Sequence, residues 1–228
     1  MRKDLDGLWR EAGHLHGEGG ARILQFIGLH EGEGTTSAAA SFALIAAAHV
    51  RRTAWLVDLD LRRNPAFEGF QARSFAKLGA PGPAYDASLG CEPIHDITPV
   101  VEPAGLAGKL LNAHRVGRSR LLVTRFRAEK LRPGQRIRLT ERVEWWMALR
   151  EATDWVVVDS PALERSRAGL ATVKHADAVV IVVHAELSEA RDIERVRREV
   201  ESAGGHVLGV VMNATRSDAR LVDRMFGG

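Results

Sequence analysis

Cysteine, tyrosine, long apolar runs and surplus charge are all scarce in this chain, and each scarcity narrows what it can be. Of 228 residues one is cysteine, Cys91. That excludes an internal disulfide and any cysteine-rich zinc site. One is tyrosine, Tyr85. No stretch reaches the roughly 18 uninterrupted apolar residues that a membrane span requires. The opening "MRKDLDGLWREAGHLHGEGG" has no apolar centre, so it does not read as a secretory signal, and a cytoplasmic protein is expected. The formal net charge of +3 is too small to argue for nucleic acid as a partner. Of the histidines, His14 and His16 are neighbours but lack further ligands at metal-binding spacing.

What is present is alternation. Ala21–Leu29, Thr53–Asp60, Trp155–Asp159, Ala178–His184 and His206–Met212 read as apolar strands. Thr36–Val50 is a charge-free, alanine-rich helix that should be buried over most of its circumference; Arg142–Thr153 and Glu189–Ala203 read as amphipathic helices. Strands alternating with helices predict an α/β fold, a doubly wound, mainly parallel sheet flanked by helices. With 45% hydrophobic residues the chain fits one such domain: an N-terminal segment over 1–20, then a single domain over 21–228. The Gly- and Pro-richer stretch from Phe70 to Thr140 reads as an insertion-like region of that domain. Trp9, Trp145 and Trp146 read as core or interface residues.

The stretch "GLHEGEGTTS", Gly28–Ser37, follows the first strand and opens the alanine-rich helix. Glycines there let backbone N–H groups turn inward around phosphate oxygens, and the helix N-terminus favours an anion. The candidate phosphate-binding residues are Gly32, Glu33, Gly34, Thr35, Thr36 and Ser37. A P-loop places a lysine and then Ser or Thr after its last glycine. Here the pair is Thr35–Thr36. Thr36 keeps a hydroxyl for a magnesium ion, but Thr35 carries no charge for the β- and γ-phosphates. A charge-assisted hydrogen bond contributes roughly 1.5–3 kcal/mol, so binding should weaken, and phosphoryl transfer should weaken more. His30, Arg62 and Arg63 are the cations near enough in sequence to compensate.

"AWLVDLDLRRNPAF" places Asp58 and Asp60 two apart at a strand end, where both carboxylates share one side. They are the candidate catalytic acids and, with Thr36 and Asp159 of "DWVVVDSPA", the candidate Mg²⁺ ligands. In a parallel sheet, strand ends converge on one ligand crevice.

Together "GLHEGEGTTS", "WLVDLDLRRNP", "WVVVDSPA" and "ADAVVIVVHAELSEARDIERVRREVESAGGHVLGVVMNATR" resemble the bacterial tyrosine kinase (BY-kinase) family of capsule and exopolysaccharide biosynthesis. This is a deviant-Walker branch of P-loop proteins, with the ParA/MinD ATPases as relatives. The likeness runs from about Trp9 to Arg216. It implies Mg²⁺ and ATP or ADP at the strand ends, matches Asp58 and Asp60 to the acids of the second Walker motif and Asp159 to the Walker B acid, and sets Asn213 where relatives contact adenine. It also implies a membrane-embedded polysaccharide co-polymerase or export protein as partner, a homo-oligomer, and a cytoplasmic location peripheral to the inner face of the cell membrane. Three features depart from the family pattern: the loop lysine is Thr35, the C-terminal tyrosine cluster is missing, and only Arg10 matches the N-terminal assembly residues. The expectation is therefore a pseudokinase with weak or no phosphoryl transfer, serving as regulator or scaffold. Two alternatives stay open: an active Mg-ATP-dependent kinase or ATPase using another cation, and a ParA/MinD-like positioning ATPase.

Two basic or amphipathic stretches stand outside this scheme. Arg115–Arg142 is dominated by arginine and reads either as a solvated face of a loop and two short strands or as a contact for an acidic segment, anionic lipid or nucleic acid. Leu221, Val222, Met225 and Phe226 recur at roughly helical spacing and read as a last helix or a short amphipathic foot.

Overall fold

The computed structural model describes residues 2–17, 20–72, 78–99, 110–186 and 188–213. The C-terminal amphipathic stretch lies outside them. Among the described residues ten strands and five α-helices run in the order α1 (Arg2–Ala12), β1 (Arg22–Ile27), α2 (Thr35–His49), β2 (Ala54–Asp58), α3 (Pro65–Gln71), β3 (Pro81–Asp86), β4 (His95–Thr98), β5 (Leu111–Val116), β6 (Leu121–Phe126), β7 (Arg136–Leu139), α4 (Val143–Ala152), β8 (Trp155–Asp159), β9 (Ala178–His184), α5 (Ala190–Ser202) and β10 (Val207–Asn213). The strands expected from the sequence at β8 and β9 have the observed bounds, and the other expected elements shift by a few residues at their ends.

Eight strands form one sheet in the order β10-β9-β1-β8-β2-β6-β5-β3. The pairings from β10 to β6 are parallel; β5 and β3 add antiparallel strands at one edge. β8 is buried at every position, as a strand covered on both faces must be. Leu24, Phe26, Leu56, Val157, Val180 and Val182 pack under α1, α2 and α3 on one face. The alternate residues meet α4 (Val156, Val158, with Trp145, Trp146 and Leu149) and α5 (Val179, Ile181, with Val196 and Val200) on the other. This is the doubly wound α/β arrangement expected from the sequence.

α2 has apolar residues all round because it is covered on both sides. The sheet lies beneath it, and α1 lies above, burying Leu5 and Ala12 fully. Truncating a fully buried leucine such as Leu5 to alanine costs about 2–5 kcal/mol. Trp9 of α1 packs between Phe42 of α2 and Trp155 of β8, ring centroids 5.7 and 5.4 Å away. Through Leu5, Leu8, Trp9 and Ala12, α1 thus shares the core of the sheet domain.

The stretch from Phe70 to Thr140 supplies β6, β5 and β3 to the main sheet and a small antiparallel ribbon, β4 with β7. Arg115–Arg142 runs from the end of β5 through β6 and β7. Several of its arginines are paired: Arg125 with Glu129, Arg138 and Arg142 with Asp96. Among the described residues no helix is long and apolar enough to cross a membrane.

Candidate nucleotide site at the strand ends

β1 ends at Ile27, and the chain must then turn sharply into α2. Gly32 and Gly34 make that turn at φ of 87° and 85°, in the left-handed region that side chains disfavour. A Cβ on Gly34 would run into the side chain of Asn213. At Gly28 a Cβ would lie 2.6 Å from Thr35 Oγ1 and 2.7 Å from Glu33 Oε2. Packing behind the loop therefore requires glycine at 28 and 34, and the turn requires it at 32 and 34. Gly34 is the N-cap of α2 and offers no side-chain cap. The first amides of the helix stay open, and its positive end faces outward.

Glu33 is 1% exposed and points behind the loop. Its Oε2 accepts the His30 amide (2.9 Å), and its Oε1 accepts the Ser188 hydroxyl (2.6 Å). Asn213 Nδ2 donates to the Glu33 carbonyl at 3.0 Å. Both residues brace the loop from the β9–β10 side.

The acids arrive from the neighbouring strands. Asp58 and Asp159 are register partners at the ends of β2 and β8, both 1% exposed and both on the α2 face. Burial and the negative charge of Asp159 push the Asp58 carboxyl well above the ordinary carboxylate range. Burial is also the main cause that pushes Asp159 up, to about 7. Asp58 spends both oxygens on backbone amides, Oδ1 on Asp60 and Oδ2 on Ala66, each at 2.9 Å. Asp159 accepts the Thr36 hydroxyl and keeps a buried Oδ1 without a hydrogen-bond partner. A buried carboxylate oxygen left open beside a hydroxyl and an uncapped helix end fits a hard cation carrying phosphate. Thr36 and Asp159 would hold Mg²⁺, with Asp60 at the edge, and the ion would supply positive charge to the phosphates.

The cleft these residues line has a volume of about 380 Å³. Its walls include Gly32 to Ser37, Asp60, Asp159 and, from two flanking turns, Arg63 and Arg165. Asp58 and Asn213 support this surface from behind and are not part of its lining. Of the three cations weighed as substitutes for the lost lysine, His30 and Arg63 reach the cleft, whereas Arg62 opens into an adjoining one of about 390 Å³.

Arg165 is a cation that sequence reasoning missed. It follows β8 by six residues, in the turn that begins Ser160–Pro161. Its guanidinium pairs with Asp60 and, through Nε, with Glu31 at 2.8 Å. Backbone bonds from Leu163 to the Gly28 carbonyl and from Glu164 to the Leu29 carbonyl, each 3.0 Å, press this turn against the loop. Glu164 returns the contact, accepting the Glu31 amide (2.6 Å) and approaching His30 Nδ1 (2.9 Å). Those bonds hold the Glu164 carboxyl below its usual range and raise His30. No sequence periodicity links positions 28–31 to 163–165; only the folded turn does.

No protein-family model and no curated protein sequence matches the chain. Solved structures do. The kinase domain of the Escherichia coli tyrosine kinase ETK is 16% identical at a TM-score of 0.62, over 93% of this chain and 75% of that one. The VpsO kinase domain is 16% identical at 0.59, over 92% and 98%. The septum site-determining protein MinD of Pyrococcus horikoshii, complexed with Mg-ADP, is 15% identical at 0.56, over 89% and 77%. The fold is that of the P-loop kinase and ParA/MinD proteins.

Proposed function

We propose that this chain is a BY-kinase-like P-loop protein that binds a magnesium nucleotide and transfers its phosphoryl group slowly or not at all. It acts as a regulator or scaffold for a membrane-embedded polysaccharide co-polymerase of exopolysaccharide biosynthesis or export, at the inner face of the cell membrane, alone or as a homo-oligomer. The observation that carries this reading is the pairing of an intact cradle with an uncharged Thr35. The left-handed glycines, the open α2 amides, the Thr36 hydroxyl and the open Asp159 oxygen are in place. The side chain that would reach the β- and γ-phosphates is a buried threonine, 8% exposed.

Cradle and metal ligands support ground-state binding, while a charge on the transferred group supports the transition state, so turnover suffers most. The single tyrosine of these 228 residues, Tyr85, lies on edge strand β3. Titration of the purified chain with Mg-ATP and Mg-ADP tests the reading. Measurable magnesium-dependent binding, turnover below detection, and an affinity gain of about tenfold or more in Thr35→Lys are expected, that gain being one charge-assisted bond. Absence of binding in both forms refutes nucleotide binding and leaves only a scaffold.

One observation favours a second reading, an active kinase or ATPase with a substitute cation: two guanidinium groups, Arg63 and Arg165, line the same cleft. Magnesium-dependent ATP turnover that vanishes in Asp159→Asn would establish it.

A further inference from the structure

Arg165 is placed as an introduced cation would need to be. It lies on the side of the cleft where Asp60 and Asp159 converge, which is where a metal and the terminal phosphates of a nucleotide belong. It is held there by construction. The turn that carries it is joined to the loop by two backbone bonds and by both oxygens of Glu164, so the base of the side chain cannot drift from the phosphate cradle. Its side chain is 27% exposed, against 59% for Arg63. Among the described residues Arg63 pairs with Glu31, at the outer rim, whereas Arg165 also reaches the buried Asp60.

The local charge explains why a cation stays there. Glu31, Asp60 and Asp159 all face the cleft, and without Arg165 an incoming triphosphate would meet carboxylates with only the half-exposed Arg63 and His30 to offset them. A guanidinium offers a planar fork of five donors, so it can keep one carboxylate and still take a phosphate oxygen.

We propose that Arg165 stands in for the missing loop lysine as the group that recognises the terminal phosphate. Asp60 and Glu31 hold it ready, and a γ-phosphate draws it from Glu31. Resting on the nucleotide-binding reading above, the proposal adds that the chain distinguishes ATP from ADP through a cation delivered by the turn after β8.

The test is a double-mutant cycle on binding, read by calorimetry with Mg-ATP and Mg-ADP, using wild type, Arg165→Gln, Thr35→Lys and the double variant, with thermal unfolding as a check on folding. Wild type should favour ATP over ADP. Arg165→Gln should lower that ATP-to-ADP preference by about tenfold to a hundredfold, the range of one charge-assisted bond. Adding Thr35→Lys to Arg165→Gln should restore the preference, and Thr35→Lys should gain less in wild type than in the Gln background. Arg165→Lys should retain part of the preference. An unchanged ATP-to-ADP ratio in a folded Arg165→Gln, or strictly additive effects of the two substitutions, overturns the role of Arg165 while leaving nucleotide binding intact. A wild type that binds neither nucleotide overturns the underlying reading itself.

Discussion

The ends of β2 and β8 look alike in sequence, an apolar run closed by aspartate, and in the fold they sit side by side. Their chemistry differs. Asp58 is a structural acid: one oxygen holds the Asp60 amide and the other caps the entry to α3 at Ala66. Asp159 is an open acid, with one oxygen on Thr36 and one on nothing. Burial is the same at both ends, so the difference comes from the path the chain takes beyond each strand. After β2 the chain curls back through Leu59–Asn64 and presents amides to Asp58. After β8 it leaves through Pro161, whose nitrogen has no hydrogen to offer, toward the loop. Two acids at matched positions thereby serve different ends, one shaping the floor and one facing the ligand.

The sharpest way to break that comparison is to remove each acid in turn. Asp58→Ala strands two amides and, at mildly acidic pH where the raised Asp58 carboxyl keeps its proton and no desolvated charge is removed with it, should destabilise the chain by about 2–4 kcal/mol in chemical denaturation. Asp159→Asn should do the reverse. It removes a desolvated carboxylate whose proton is held up to about 7 against 3.8 in the open chain, so at pH 8 without metal it should stabilise by on the order of 2–4 kcal/mol. Magnesium-dependent nucleotide binding should vanish in the same variant. Equal, like-signed effects would mean the two acids play one role.

A smaller effect is expected from pH. Between about 4 and 7 the folded chain holds the Asp159 proton and the unfolded chain does not. The metal-free protein should therefore lose stability as pH rises through that window, by about 1.4 kcal/mol per unit from Asp159, with the likewise raised Asp58 adding a loss of the same sign. The apparent affinity for magnesium should rise over the same range, because the ion competes with that proton. Denaturant midpoints across pH, compared with Asp159→Asn, check the assignment; an unchanged slope in the variant would locate the proton elsewhere.

The smallest difference lies behind Asp58. Its own amide donates to Thr124 Oγ1 at 2.9 Å, tying β2 to β6. Thr124→Val leaves that buried amide unpaired and should cost about 1 kcal/mol with no change in nucleotide affinity. A marked loss of affinity would show that Asp58 is more than a brace.

The parallel half of the fold was legible in the sequence. Runs such as "WVVVD" and "AVVIVVH" are β-branched at their centres, as suits strands covered on both faces, and their polar ends marked the crevice. The glycine loop was legible because its backbone needs residues without a Cβ. The antiparallel edge was not delimited, since β3 has no buried position, β5 interleaves buried Asn112 and His114 with apolar residues, and the two owe their pairing to partners distant in the chain. Within the site, sequence supplied the residues but not their division of labour. Whether an aspartate bonds its own backbone or faces a cleft depends on the path of the next few residues. Arg165 was invisible for a related reason: its place is set by bonds between two loops more than 130 residues apart.

Those inter-loop bonds have a kinetic corollary. The amides of Glu31, Leu163 and Glu164 are each donated across the seam between the loop and the turn after β8, so parting the seam frees all three. In deuterium labelling they would exchange as one cooperative unit, and a ligand that grips either side of the seam would slow all three together.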